Sequence, residues 1–442
     1  MRVEEVLSAA RRALSEHVLC DSCLGRLFGM LGYGLTNRER GFALKTLLLM
    51  GAYDALKGET DVNTLRRLAL SGFRAAQEAL RKLRIEDAGE GTCELCGGLL
   101  ERLDDLAALC VDAGRDYEYE TFQVGCSIPL DVVRREEALW LKLGIASAES
   151  LKSELTREIG KRVAATTGKA YSLKSPDVVF IVDVAKWSVT VQARPLYIYG
   201  RDRKLVRGLP QNPWLYEPDR RVSYASSVEE LITGPLLEVT RGDGAKLHAA
   251  GREDLDVRTL GNGRPFVVEV RNPKVRRIDL RAAERLINER AGGLIEVEGL
   301  QFVDGKLVPR LKAYSEIARK TYVARVRVGR ELGEEDLKVL REKLSGAVIS
   351  QRTPLRVLGR KVDKVRKKVV YSVEARLLAP TLLELTVTCQ GGLYVKELIH
   401  GDEGRTRPSV SEILGTRAEV EELDIVYVEE PAVVQQYVRP AG

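Results

Sequence analysis

Two pairs of cysteines place the strongest constraint on how this chain of 442 residues folds. Cys20 and Cys23 form CDSC, Cys93 and Cys96 form CELC, and a glycine follows closely after each pair. A two-residue spacer lets both sulfurs of a pair reach one ion, and the glycine permits a tight turn in which backbone amides face the thiolates. Together the pairs predict one four-thiolate zinc site, which has no open coordination position and is therefore structural. Residues 24 to 92 then form an inserted subdomain.

The surroundings of these cysteines favour a metal over disulfides. The first residues, MRVEEVLSAARRALSEHV, are amphipathic and carry acids early, which argues against a secretory signal and for a cytoplasmic protein. No apolar run approaches the roughly 18–20 residues that a membrane span needs, so no membrane is expected. Cys110, Cys126 and Cys389 are expected to be single buried residues.

Basic residues gather in two segments of a chain whose net charge is only +6. The first segment, 194–221, interleaves arginines, among them Arg207, with the aromatic residues Tyr197, Tyr199, Trp214 and Tyr216. The second segment, 352–368, holds eight basic residues, among them Arg352 and Arg356, and Asp363 is its one acid. Such clusters suit a polyanion such as nucleic acid, although a solvated face gives the same pattern.

The pattern of apolar residues predicts an α+β protein. Residues 1 to about 90 show helical stripes, as in TNRERGFALKTLLLMGAYDALKG and RLALSGFRAAQEALRKL. DVVFIVDVAKWSVTVQARPLYIYG predicts two strands joined by a turn around Ala185 and Lys186. After residue 236 strands outnumber helices and follow one another without regular crossovers, which indicates a mixed or antiparallel sheet. A chain of this length has room for two or three domains.

One loop, GREDLDVRTLGNGRPF at residues 251–266, has no helical or strand period. Charges resist burial and glycines loosen the backbone, so a chain that keeps such a loop usually uses it as a site. Asp254 and Asp256 are two apart, as in the metal site of a sugar-nucleotide transferase, yet the further carboxylates of such a site are not evident. A glycosidase carboxylate and a plain exposed turn also remain open.

The chemistry of the loop is expected to need no organic cofactor. No G-x-G-x-x-G follows a strand and no phosphate-binding G-x-x-x-x-G-K-[ST] occurs. None of the three histidines stands beside a plausible serine or cysteine nucleophile. Any reaction is therefore expected to depend on a carboxylate.

GREDLDVRTLGNGRPF resembles the catalytic loop of the archaeal and eukaryotic tRNA pseudouridine synthases that carry a THUMP-containing accessory domain. The resemblance continues in ARPLYIYGRDRKLVRGLPQ, SSVEELITGPLLEVT, KTYVARV, SQRTPLRV, YVKELIHGDEGRTRPSV and both cysteine pairs, so it spans nearly the whole chain. One departure is RVLGRK, because this family usually has His-Arg where Gly359-Arg360 stands. The resemblance implies a helical zinc-binding part at 1–100, a THUMP-like RNA-binding part at 101–222 and a catalytic domain at 223–442.

The resemblance also implies roles for individual residues. Asp254 is implied to be the catalytic carboxylate, acting by covalent attack or by taking a sugar proton. Tyr322 is implied to stack on the flipped uracil, and Lys396 to pair with Asp254. Arg252 is implied to insert where the base was, and Leu423 to line the pocket.

The implied substrate is tRNA, modified at uridines 54 and/or 55 of the T-arm, with its acceptor end on the accessory domain. Tyr197, Arg207, Arg352 and Arg356 are expected to contact this RNA, and no obligatory protein partner is evident. Two alternatives stay open. One is a non-catalytic zinc-containing tRNA-binding protein, and the other is a THUMP-bearing enzyme of another chemistry, such as methylation or thiolation.

Overall fold

The computed structural model describes residues 2–54, 59–86, 89–213, 226–359 and 362–439. The chain divides into two compact units, Met1–Ala193 and Arg194–Gly442, and each has its own hydrophobic core. This division falls earlier than residue 222, where the sequence analysis placed a boundary. The reason is that the strand Leu196–Lys204 pairs on both sides with strands of the second unit. Within the described residues, no helix combines the length and the apolar character that crossing a bilayer requires.

The first unit contains eight α-helices and six strands among its described residues. The helices are α1 Val3–Glu16, α2 Asp21–Arg26, α3 Asn37–Ala52, α4 Val62–Leu70, α5 Arg74–Lys82, α6 Leu103–Gly114, α7 Leu130–Leu143 and α8 Leu151–Thr167. The strands are β1 Tyr53–Asp54, β2 Glu59–Thr60, β3 Thr121–Ser127, β4 Ala170–Tyr171, β5 Val178–Asp183 and β6 Ser188–Ala193.

Local sequence explains where these helices start and stop. Thr36 caps α3 through the backbone N–H of Glu39, and the Glu39 carboxylate bonds back to the backbone N–H of Thr36. The stripe RLALSGFRAAQEALRKL forms two helices, because Gly72 takes the left-handed conformation (φ +72°) that ends a helix.

A four-stranded sheet in the order β4-β3-β5-β6 completes the first unit. Strands β4 and β5 run parallel to β3, whereas β5 and β6 form the predicted antiparallel hairpin. Asp183 fixes the turn of this hairpin by accepting hydrogen bonds from the backbone N–H groups of Ala185 and Lys186, at 3.1 and 3.0 Å. Alternate residues of β3 and β5 are buried against α6 and α8.

The described residues of the second unit form a ten-stranded sheet. Its strands are β7 Leu196–Lys204, β8 Gly244–Ala249, β9 Val257–Arg271, β10 Ile295–Phe302, β11 Arg319–Val328, β12 Val348–Arg352, β13 Val365–Ala379, β14 Leu382–Gln390, β15 Thr406–Arg407 and β16 Ala418–Val428. They lie in the order β10-β7-β9-β16-β11-β14-β13-β12-β15, and β8 pairs with β9. The pair β16–β9 is parallel and the other pairs are antiparallel, which confirms the predicted α+β class with a mixed sheet.

In the part of this unit that the structure describes, six α-helices accompany the sheet: α9 Val228–Thr240, α10 Leu280–Ala291, α11 Leu307–Ser315, α12 Glu334–Leu344, α13 Val395–His400 and α14 Val410–Leu414. Helices α9 and α10 pack with β7, β8, β9 and β10 in one core. Helices α12, α13 and α14 pack with β11, β13, β14 and β16 in another. The loop 250–256, called the site loop below, joins β8 to β9 at the first residue of β9 that pairs with β16.

The glycines of GNGRPF serve this strand crossing. Gly261 and Gly263 have φ of +60° and +69°, and they lie where β9 leaves β16 and continues against β7. A Cβ on Gly261 would lie 1.8 Å from the carbonyl oxygen of Val426, so no larger residue fits.

Candidate active site

Buried cations bind the backbone carbonyl groups of the site loop. The Lys204 ammonium donates to the carbonyl oxygens of Leu209, Asp254 and Leu255, at 3.1 Å each. Burial, and then the nearby Arg264 charge, lowers the pKa of Lys204 to about 8. Arg264 is itself buried in a bidentate pair with Asp202 and also donates to the carbonyl oxygen of Gly251, at 3.3 Å. The loop conformation is therefore fixed by side chains from β7 and β9.

Residue 251 of the site loop has to be a glycine. Gly251 has φ +103°, and a Cβ at this position would lie 2.9 Å from the Lys320 ammonium. Lys320 is buried and donates to the carbonyl oxygen of Ala250 at 3.3 Å and to the Glu253 carboxylate at 3.4 Å. The G of the GREDLD motif thus provides the space in which a buried lysine reaches the loop.

The far end of the loop is tied to β16. One nitrogen of Arg207, Nη1, donates to the carbonyl oxygens of Asp256 (2.7 Å) and Leu423 (2.8 Å), and its Nη2 lies 2.8 Å from the Asp424 carboxylate. Leu423 is buried and pairs with Val257, the first residue of β9. Arg207 and Leu423 therefore both adjoin the site loop. The pocket-lining role of Leu423 stays a prediction.

Two cations contact the Asp254 carboxylate. Arg356 Nη1 donates to its Oδ1 at 2.9 Å, and Lys396 Nζ lies 3.4 Å from its Oδ2. The Lys396 ammonium also contacts both oxygens of Asp256, at 2.6 and 2.7 Å. Although partial burial acts in the opposite direction, this ammonium lowers the pKa of Asp256 below its ordinary value. The structure thus brings Asp254 and Lys396 together, as expected, and adds Arg356.

Glu397 holds Arg356 in place on the side away from Asp254. The Glu397 carboxylate is 1% exposed and accepts a hydrogen bond from Arg356 Nε at 2.6 Å. The pKa of Arg356 is raised by this carboxylate and by Asp254, which outweigh the opposing effect of burial. Arg356 therefore bridges a buried carboxylate and the site carboxylate.

The phenol of Tyr322 lies buried on β11 behind the loop. Burial raises its pKa well above the ordinary value, and the charges of Glu253 and Asp254 act in the same direction. Tyr322 is therefore neutral at physiological pH, and it can donate a hydrogen bond or a proton.

Three further residues were predicted to belong to the site: Arg252, Arg352 and Tyr197. Arg252 is exposed on the site loop, two residues before Asp254. Arg352 is exposed and pairs with Asp363 at 2.8 Å. Tyr197 lies on β7, where its hydroxyl donates to Glu269 at 3.4 Å. The RNA contacts of these residues stay predictions.

The first basic segment has many internal partners. Arg201 is buried and donates to the carbonyl oxygens of Gly263 and Val428, and Arg203 pairs with Glu296 and Glu298. With Lys204 and Arg207 they hold β7, β9 and the site loop, and they are largely withdrawn from solvent. Trp214, Tyr216, Arg220 and Arg221, and in the second segment Arg360 and Lys361, lie outside the described residues.

The supporting roles of four residues were not predicted from the sequence: Lys204, Arg264, Lys320 and Glu397. The signal was present for two of them, because Lys320 precedes Tyr322 on a strand face and Glu397 follows Lys396. Nothing in the local pattern, however, shows that these charges are buried.

The four predicted metal ligands meet in the first unit. The sulfurs of Cys20, Cys23, Cys93 and Cys96 lie within 4.8 Å of one another. Cys20 Sγ and Cys96 Sγ are 3.8 Å apart, which matches the edge of a tetrahedron with metal–sulfur bonds of about 2.3 Å. Four largely buried thiol groups in this arrangement could hold a metal ion.

The glycines beside the cysteines have two different functions. Gly97 and Gly98 have φ of +57° and +82° and form the predicted tight turn after CELC. Gly25 was expected to do the same after CDSC, and this was wrong: it lies inside α2. A Cβ on Gly25 would lie 1.8 Å from the carbonyl oxygen of Asn37, so this glycine lets α2 pack closely on α3.

The site loop thus presents a carboxylate held between two cations, close to a neutral phenol, which suits chemistry that works through a carboxylate. Residues 197–429 match the family model "Pus10, C-terminal", and residues 106–183 match "Pus10 THUMP domain, archaeal". The chain belongs to the Pus10 family.

Curated relatives match along nearly the whole chain. The "tRNA pseudouridine synthase Pus10" of Thermofilum pendens is 48% identical over 431 residues, covering 98% of this chain and 96% of the relative. The protein of the same name from Pyrococcus furiosus is 40% identical over 423 residues, covering 96% and 98%. A chain of the "Crystal Structure of a Cbf5-Nop10-Gar1 Complex" aligns with a TM-score of 0.30 and 18% identity, over 52% of this chain and 58% of that chain.

Proposed function

We propose that this protein is a tRNA pseudouridine synthase that isomerises uridine 54 and/or 55 of the T-arm, with Asp254 as its catalytic carboxylate. Membership of the Pus10 family supports the isomerisation of uridine in tRNA. The single observation that carries the site assignment is the Asp254 carboxylate between Arg356 and Lys396 in a loop fixed by buried cations.

The reaction breaks the bond from ribose C1′ to uracil N1, turns the base, and forms a bond from C1′ to C5. The C5 proton leaves, N1 gains a proton, and no electron is gained or lost, so no organic cofactor is required. Asp254 attacks the nucleoside covalently or takes a sugar proton. The two cations counter its charge and keep the carboxylate in one orientation. Arg356 acts by positioning Asp254.

The substrate uridine has to leave its stack to reach this carboxylate. Asp254 is 36% exposed, so it is open to an incoming base from one side and held from the other. Arg252 is exposed on the same loop, two residues before Asp254, where its side chain can occupy the space that the base vacates. The neutral Tyr322 phenol offers an aromatic face to the uracil, and its hydroxyl can relay the C5 proton, accepting it on oxygen as it passes its own proton on towards N1.

The first unit supports binding of the RNA. The THUMP match lies within it, and we assign it the acceptor end of the tRNA. We further propose that Cys20, Cys23, Cys93 and Cys96 bind zinc, because four buried thiolates at tetrahedral spacing suit this ion. Such a site is closed, so its metal supports the fold of the unit and takes no part in the reaction. The proposal places the enzyme in the cytoplasm and requires no protein partner.

The variant Asp254→Ala separates this function from a non-catalytic tRNA-binding protein. We expect it to bind an unmodified tRNA transcript with wild-type affinity and to form no pseudouridine. Wild-type turnover is expected to be the same with and without S-adenosylmethionine or ATP. Product formation by Asp254→Ala, or none by the wild type, would contradict the proposal.

A further inference from the structure

A cavity of about 460 Å³ opens in the first unit, between helices α1, α3 and α4. It lies outside residues 106–183, the segment that matches the THUMP domain, and none of the four clustered cysteines lines it. Its size suits a small organic ligand. Its lining residues are Arg11, Leu14, Ser15, Leu48, Asn63, Thr64, Arg66, Arg67, Leu68 and Leu70.

The lining divides into an apolar floor and a cationic rim. Leu14, Leu48 and Leu68 are 3%, 2% and 0% exposed, so they form a packed and rigid floor. Three arginines, Arg11, Arg66 and Arg67, contribute the charges, and Arg11 and Arg66 are exposed. The combination fits a ligand with a flat apolar part and an anionic group.

Arg67 supplies a donor that the described part of the chain does not use. Its Nε donates to the carbonyl oxygen of Leu14 at 2.6 Å, which fixes the guanidinium at the wall of the cavity. Its Nη2 is buried, and no described group accepts a hydrogen bond from it. A buried guanidinium N–H without an acceptor is costly, and an anion in the cavity would remove that cost.

Two nearby acids of the described residues are engaged elsewhere. Asp61 accepts hydrogen bonds from the backbone N–H and the hydroxyl of Thr64, at 3.1 and 2.7 Å, and so caps α4. Glu94 contacts His17 Nδ1 at 2.8 Å and accepts from the backbone N–H of Val18 at 3.0 Å. These carboxylates lower the net positive charge of the region, but their oxygens are bonded away from the arginines.

We infer that this cavity binds one unpaired nucleotide of the RNA substrate, with its phosphate on the arginines and its base on the leucine floor. Guanidinium groups pair with phosphate oxygens through two parallel hydrogen bonds, and an unpaired base is free to enter a pocket. An inorganic phosphate alone would leave the floor uncovered. The inference rests on the proposed function, because that function makes RNA the substrate.

The test compares Arg66→Glu with Arg38→Glu in the full chain. Both arginines are exposed, both lie on helices of the first unit, and both changes alter the charge equally. Arg67 is left intact because it holds the Leu14 carbonyl. Far-UV circular dichroism and the thermal midpoint verify that each variant is folded.

The first readout is the Kd for a tRNA transcript, together with KM and kcat for pseudouridine formation. We expect Arg66→Glu to raise Kd and KM at least tenfold at unchanged kcat, and Arg38→Glu to stay within twofold of the wild type. Equal effects of both variants, or none from Arg66→Glu, would overturn the inference. Wild-type protein that binds tRNA and forms no pseudouridine would contradict the proposed function and leave the binding comparison valid.

The second readout separates RNA from a free nucleotide as the source of the ligand. Adenosine 5′-monophosphate is expected to raise the apparent KM of the wild type and not that of Arg66→Glu, and adenosine is expected to have no effect. Arg66→Glu could instead abolish binding of the monophosphate and leave the tRNA affinity unchanged. That result would overturn RNA as the source of the ligand and assign the cavity to a free nucleotide.

Discussion

Arg356→Lys is expected to slow the reaction about tenfold while leaving the fold and the tRNA affinity nearly unchanged. Arg356 bonds two carboxylates, Glu397 at 2.6 Å and Asp254 at 2.9 Å, which differ greatly in exposure. Glu397 is 1% exposed, whereas Asp254 is 36% exposed. A lysine ammonium is a compact point charge that does not reproduce the arginine fork, so one contact has to be lost.

The exposure decides which contact is lost. Stranding a buried carboxylate costs about 3–5 kcal/mol, so the new ammonium stays with Glu397. The lost hydrogen bond to a charged group is worth about 1.5–3 kcal/mol, and the partial exposure of Asp254 favours the lower end. Because each 1.36 kcal/mol is about a factor of ten in rate, we expect about a tenfold lower kcat.

The assay is single-turnover pseudouridine formation on a tRNA transcript, with Kd measured separately. Arg352→Lys is the matched control: Arg352 is in the same basic segment but pairs with Asp363, and we expect its kcat to stay within twofold of the wild type. Unchanged kcat with weakened tRNA binding in Arg356→Lys would refute the positioning role and support the RNA contact that the sequence predicted.

Three further changes test other parts of the structure. Tyr322→Phe is expected to lower kcat. Because the raised pKa of Tyr322 keeps its phenol protonated, the wild-type rate should show no ionisation of this group up to pH 10. A fall in the wild-type rate between pH 8 and 10 that is absent in Tyr322→Phe would show that a phenolate forms instead. Lys204→Met releases the site loop and should lower kcat more than it raises KM. The pKa of Lys204 is about 8 in the folded protein, whereas an unfolded lysine titrates near 10.4, so between these pH values the unfolded chain binds more protons than the folded one. The free energy of unfolding of the wild type, measured by chemical denaturation, should therefore rise relative to that of Lys204→Met as pH rises from 8 to 10. Metal analysis is expected to find one zinc per wild-type chain and none in Cys93→Ser, and this variant should also lower the thermal midpoint of the first unit; a wild-type protein with four reactive thiols and no metal would contradict the zinc site.

The fold class was predictable because it depends on local periodicity. The alternation in β11 and the hairpin around Ala185 were visible in the sequence, and so was the unusual composition of the site loop. The meeting of the Cys pairs was predictable for a different reason, since a two-residue spacer lets both sulfurs of a pair reach one ion.

Long-range contacts were not predictable in the same way. Lys204 and Arg356 looked like parts of solvated or RNA-binding clusters, because basic residues are mostly exposed. Lys204 is in fact buried, and Arg356, although exposed, is held by two carboxylates. Their partners include the carbonyl oxygens of Asp254 and Leu255 and the carboxylate of Glu397, which are 41 or more positions away. Gly25 was misassigned for the same reason, because its contact, Asn37, belongs to another helix.

Chemical mapping of pseudouridine in unmodified tRNA transcripts, incubated with this protein and no other additive, tests the central claim most directly. The account predicts pseudouridine at position 54, 55 or both with the wild type, and none with Asp254→Ala at equal occupancy of the RNA. The same modification by both proteins, or modification only outside the T-arm, would contradict it.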